Sequence, residues 1–274
     1  MNHKINATIQ KRRFLCRLTA LTLTAVLLAF CFLPSAAIFP AFAASASTTS
    51  SSSAITVRNA QDLAALSKNC ALDTWSIGKT VVLESDIDLS SAEFSPIPTF
   101  GGTFEGNGHT ISGLQLSEGY SYQGFFRYIQ ESGVVRDLNV SGSVSAAGDQ
   151  TFLGGIAGSN EGSILDCTFS GEVSGKLQIG GIAGVNESTG SIFHCTAEGT
   201  VTGERNTGGI TGQNSGTVTG CTNRSSVNTI HQEKDQTLSD SLDSLNSLTK
   251  EDILDTTMDT GGIAGMSDGI LRSC

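Results

Sequence analysis

From residue 101 onward the aliphatic positions of this chain return at a steady interval, while the positions between them change freely. One phrase carries the pattern: GGIAGSNEGSILDC begins at residue 154, GGIAGVNESTGSIFHC at 180, GGITGQNSGTVTGC at 208 and GGIAGMSDGILRSC at 261. The starts lie 26, 28 and 53 residues apart, so the last interval is one unit plus an insertion. Fainter copies start at Gly124 (GFFRYIQESGVVRDL) and at Gly101 (GGTFEGNGHTISGL).

Aligned on the phrase, Leu114, Leu138, Cys167, Cys195, Cys221 and Cys274 fall in one column. Three residues earlier stand Ile111, Val135, Ile164, Ile192, Val218 and Leu271, and six residues later Val144, Val173, Val201 and Val227. Columns that stay apolar while their neighbours vary between Ser, Thr, Asp, Arg and His are columns of inward side chains. Units of this length, with short β-rich runs, glycine turns and no helical period, predict a right-handed parallel β-helix. Its coils stack at the strand spacing of about 4.8 Å and bury one continuous core. A leucine-rich repeat and a β-propeller blade lack their signature and their length here. The Gly-Gly pair is expected at a corner of positive φ, and Asn160, Asn186 and Asn214 are expected to stack as an amide ladder that stops at Ser267.

Ahead of the repeats the pattern changes. Asn59 reads as an N-cap with Asp62 in the first turn and Leu63 and Leu66 on one face, which predicts a helix over 60–69. VVLESDIDL at 81–89 alternates as a strand, so 55–100 is expected to form a cap and the first strands. The insertion at 230–259 places Leu238, Leu242, Leu245 and Leu248 at helical spacing among eight acids. It is expected to form an amphipathic arm against the outside of the solenoid.

Composition fits this reading. Glycine supplies 32 of 274 residues, none of them among the first 43, against roughly 7% in ordinary domains. Those first residues have their own logic: Lys4, Lys11, Arg12, Arg13 and Arg17, then an apolar stretch from Leu18 to Leu33, then Ala41-Phe42-Ala43 as a small-x-small cleavage site. This plan predicts a signal peptide over 1–43, a secreted or cell-surface product and a Ser/Thr-rich linker over 44–54. Cleavage removes five cations and no anion and moves the formal charge from −10 to −15. So acidic a surface argues against nucleic acid and against a membrane partner beyond export.

Cleavage also leaves five cysteines, Cys70, Cys167, Cys195, Cys221 and Cys274. The odd number suits no closed disulfide framework, and no pair has metal-site spacing. Stacked inward positions lie slightly beyond disulfide reach, so the column is expected to hold buried reduced thiols.

The run from Val81 to Leu116, with DIDL at Asp86 to Leu89, then PIPTF and GTFEGNGHTISGL, followed by GGIAG units each with a following Cys, resembles the GLUG-repeat β-helix proteins exported by Gram-positive and gut anaerobic bacteria. The resemblance spans 55–274. It implies an all-β, pectin-lyase-like solenoid with a short helical cap in a large surface or secreted protein, in some members beside a metalloprotease domain. That protease does not carry over, because there is no HExxH and the only histidines after the signal are His109, His194 and His231.

The strongest catalytic grouping is Asp86, Asp88, Glu105 and His109, the residue types of a polysaccharide lyase or glycosidase. A structural reading is favoured. Asp86 and Asp88 alternate with Ile87 and Leu89 as the outward side of a strand, and Asn107-Gly108 reads as a left-handed turn. Before the cysteine column the residues drift through Asp137, Asp166, His194, Gly220 and Ser273, which is no repeated reactive strip. No catalytic, cofactor-binding or metal residue is therefore assigned. The expected function is a non-enzymatic adhesion, ligand-binding or spacer module for host or cell-wall glycans or proteins, with a carbohydrate-active enzyme as the alternative. Because the last unit stops about half a coil short, further GGIAG units are expected downstream.

Overall fold

The computed structural model describes residues 54–274 except 118, 146–148 and 229–258. The targeting segment, the linker up to residue 53 and the insertion apart from Asp259 lie outside the described residues.

The described chain is a parallel β-solenoid of stacked turns with one helix, α1 (Ala60–Asn69). Its strands fall into four parallel sheets: one of eight strands, two of six and one of four. A full coil visits each sheet once. The coil that begins at residue 151 runs through Thr151–Gly154, Ala157–Asn160, Ser163–Leu165 and Thr168–Ser174. The next repeats the path through Leu177–Gly180, Ala183–Asn186, Ser191–Phe193 and Thr196–Thr202.

Register follows from which side chains must point inward. Val135, Ile164, Ile192, Val218 and Leu271 are successive partners, as are Val144, Val173, Val201 and Val227. Slipping any strand by one residue would turn these aliphatics to water, so the core fixes the stack. Two members of the sequence columns sit elsewhere. Phe104, not Ile111, pairs with Val135, while Ile111 pairs with Val140 on another sheet. Leu114 lies opposite Gly142, beyond a bulge between Ile111 and Leu114, and does not continue the cysteine column. The offset arises because Gly101-Gly102 does not sit at the corner of the later Gly-Gly pairs: Gly102 is level with Gly133 and Gly162, just before the strand that carries Phe104.

The glycines also act differently from the expectation. Neither glycine of any GG pair has a positive φ; what they provide is room. A Cβ on Gly155 would enter the Phe169 ring, and one on Gly181 would meet the Gly209 carbonyl and the Ala197 methyl. Positive φ falls instead on Gly78, Gly108, Gly113 and Gly220 and on Gly142, Gly171 and Gly199, the last three stacked mid-strand with φ of 149°, 154° and 106°. There a Cβ would also strike the carbonyl of the coil below, so the column admits glycine on two counts.

Helix α1 forms as its sequence dictates. The Asn59 side chain accepts the Asp62 N–H at 2.9 Å, Lys68 lies in the last turn, and Leu63, Leu66 and Cys70 join the buried core. The first coils are filled by Phe100, Phe104, Phe125 and Phe126 in edge and tilted ring contacts. Later coils use Ile, Val and Cys at inward positions. At one bend the predicted amide ladder is present. Asn160 donates to Asn186 and Asn186 to Asn214, each at 2.8 Å, and Asn214 donates to Ser267 Oγ at 3.1 Å.

Candidate functional site

The four acid and base residues singled out in the sequence do not form one constellation. His109 Nδ1 meets Asp86 Oδ1 at 3.1 Å, and the Thr110 N–H donates to the same oxygen at 2.9 Å. First that backbone donor and then His109 hold the Asp86 carboxyl below its usual range. Asp88 accepts the Ser90 N–H and hydroxyl, both at 2.9 Å, which lowers its pKa in the same way and closes a local turn. Glu105 is held on another sheet by a two-pronged pair with Arg136 at 2.5 Å. Asp86 and Asp88 are exposed and Glu105 is largely covered, and each of the three is already bound to a neighbour.

A different carboxyl pair emerges from the stacking. Glu161 and Glu187 directly follow the ladder residues Asn160 and Asn186, so they occupy equivalent places on adjacent coils. Partial burial, and next the charge of Glu161, push the Glu187 carboxyl up. Sequence alignment by hydrophobic columns passes over them because they are outward and polar. Among the described residues no group of three or more His, Cys, Asp or Glu side chains is placed to hold a metal ion.

A concavity lies beside the helix. A groove of about 440 Å³ opens between the end of α1, the loop carrying Pro96, Pro98 of the strand Ile97–Phe100, the end of strand Thr110–Leu116 and the segment around Tyr120. That volume falls within the roughly 300–1,000 Å³ of small-ligand sites. Ser67 anchors one wall by donating to the Pro96 carbonyl at 3.1 Å, and Phe94 backs another by stacking on Phe125 at 5.2 Å. Lys68 and Arg127 bring positive charge to the lining, which among the described residues contains no Asp or Glu.

An aromatic strip continues from this groove. The Arg127 guanidinium lies 6.0 Å from the Tyr120 ring and 5.8 Å from the Tyr128 ring, and it donates to the carbonyls of Ser121 and Tyr122 at 3.3 Å. Tyr122 leans on Tyr128 at 5.0 Å and stacks flat on Phe152 at 4.2 Å, with an interplanar angle of 6°. Burial, then Tyr128 and Glu187, raise the Tyr122 phenol pKa, which places the Glu187 charge near the strip. All three tyrosines of the chain lie within these nine residues, a clustering visible in the sequence but carrying no repeat signal.

The cysteine column is built as expected. Cys167, Cys195 and Cys221 are free and buried, each thiol directed at backbone carbonyls, whereas Cys274 is exposed. Burial drives the Cys195 thiol well above its usual pKa, and it pushes Cys70 up to about 11. Such thiols are poor nucleophiles.

Comparison with known proteins fits this geometry. The GLUG motif matches twice, at residues 153–174 and 175–202, which are two consecutive coils. Halomucin of Haloquadratum walsbyi is 33% identical over 147 residues, amounting to 47% of this chain and 2% of that protein. The chain thus spans a very small part of this relative. Among solved structures, a candidate immunoglobulin A1 protease from Bacteroides ovatus is similar at 24% identity and a TM-score of 0.48, over 61% of this chain and 56% of that one.

Proposed function

We propose that this GLUG-motif β-solenoid is a non-enzymatic module of an exported surface protein, and that it binds a ligand in the groove beside α1 while the stacked coils serve as rigid support. One observation carries this reading: the groove, with its cations and aromatic rings, is a formed recess. The acids first suspected of chemistry, by contrast, are bound to neighbours. A glycosidase needs a carboxylic acid with a raised pKa facing a second carboxylate. Asp86 and Asp88 are shifted the other way. Surface display accords with the basic and apolar leader and with the likeness to halomucin.

The test is saturable binding of the purified full chain to immobilised mucin, matrix protein and cell-wall polysaccharide, measured beside a Tyr120→Ala variant. Binding that the variant loses supports the module, and a chain that retains nothing on any surface overturns it.

A carbohydrate-active enzyme is the second reading, and it rests on Glu161 and Glu187. Release of reducing ends or unsaturated products from any polysaccharide, abolished by Glu187→Gln, would establish it in place of the first.

A further inference from the structure

Resting on the reading that the groove binds a ligand, we propose that its ligand is a sugar ring bearing a carboxylate: a uronate of a polysaccharide or the sialic acid of a host glycan. The chemistry comes from three features of the groove and its surroundings.

Charge comes first. On a chain of 26 acids against 16 bases, the groove lining presents two cations, Lys68 and Arg127. Cations gathered in one recess attract an anion to that spot. The planar guanidinium suits a carboxylate in particular, since two parallel N–H donors match its two oxygens.

Aromatic placement is the second. Tyr120 is 60% exposed beside Arg127, so its face is open to solvent at the mouth of the groove. An exposed ring next to hydroxyl and amide groups is a surface on which the apolar face of a sugar can lie while its hydroxyls find partners. Ser67, Ser95, Ser117 and Gln115 supply those groups.

Strain is the third. Tyr122, Phe152, Gln178 and Asn206 recur once per coil with φ between 52° and 63°. Backbone in that region disfavours bulky side chains and tolerates Asn, which the last of these coils uses. Two coils beside the groove nonetheless carry large rings there, stacked on each other at 4.2 Å. The fold asks only for the conformation; the rings extend the stacking surface.

Calorimetric titration of the full chain tests this with tetragalacturonate, its carboxyl-reduced counterpart, sialyllactose, lactose and an acidic hexapeptide. The expected result is binding of one or both acidic sugars, at least about tenfold tighter than the neutral partner and weakening with added salt. Which acidic sugar binds identifies the source. Lys68→Gln, on the exposed side of α1, should erase the preference for charge. Tyr120→Ala should weaken both acidic and neutral forms about tenfold, with melting temperatures unchanged. Equal binding of acidic and neutral sugars, or preference for the peptide, overturns the inference and leaves a binding module standing. A chain that binds mucin, matrix protein or cell-wall polysaccharide but none of these probes does the same, whereas a chain that binds nothing in either assay overturns both readings.

Discussion

The side-chain amide of Asn160 donates to Asn186 Oδ1 at 2.8 Å, and neither residue has any surface in water. Asn186 passes the same bond to Asn214, so one amide per coil acts as both acceptor and donor along the bend. Replacing the middle rung strands a buried donor on one side and a buried acceptor on the other. Asn186→Ala should therefore cost about 2–4 kcal/mol, seen as a lower urea midpoint with an unchanged slope. Ser267→Ala, at the end of the ladder, should cost less than about 1 kcal/mol.

The ladder also has a starting defect. Asn160 Oδ1 is buried with no hydrogen-bond partner, and the residue opposite Asn160 on the preceding coil is Ile129. An asparagine there would supply the missing donor while giving up apolar burial. Ile129→Asn is expected to cost less than Ile129→Ala, whose cavity alone is worth about 2–5 kcal/mol. Urea midpoints of the two variants decide it, and a greater loss for asparagine would contradict the ladder account.

Gly171 and Gly108 both take positive φ but differ in surroundings. A Cβ on Gly171 would enter the Gly142 carbonyl, whereas one on Gly108 meets nothing within 4 Å. Gly108→Ala should cost the left-handed penalty alone, about 1–2 kcal/mol. Gly171→Ala should cost clearly more, or prevent folding, because the backbone of the neighbouring coil must move. Circular dichroism melts of both variants give the comparison.

Cys70 supplies a pH dependence. Its thiol is raised by burial from 9.0 to about 11, so the folded state holds the proton over a range in which the unfolded chain has released it. Stability from this group is complete below pH 9 and is lost as pH rises toward 11, by an amount on the order of 2 kcal/mol. Cys70→Ala should flatten that slope in urea midpoints measured from pH 8 to 11. At neutral pH and without denaturant, a thiol reagent should label Cys274 and spare Cys167, Cys195 and Cys221.

Much of the solenoid is legible in the sequence because each coil repeats the same physical problem. Val135, Ile164, Ile192 and Val218 recur because one buried stripe must be refilled every coil, and the Asn ladder recurs because a buried amide needs an identical neighbour. The cap of α1 is legible for a local reason: Asn59 and Asp62 stand three residues apart on one turn. Reading fails where a contact is made once. The offset at Ile111 and Leu114 comes from a Gly-Gly pair, Gly101-Gly102, that sits at a different turn from the later ones, and the role of Gly155 comes from a Phe169 ring fourteen residues away in the chain.

The same division runs through the candidate site. The sequence by itself determined the repeat, most of the inward columns and the thiol stack, since each is a periodic property of one dimension. Only the tertiary structure decided that Lys68 on the helix, Pro96 in a loop, and Gln115 and Arg127 on different sheets face one groove. It alone separated Glu105 from Asp86 and set Glu187 near Tyr122, sixty-five residues away. Stacking coils brings residues together by angle around the axis as well as by distance along the chain, and that angle depends on how many residues each turn spends at its corners.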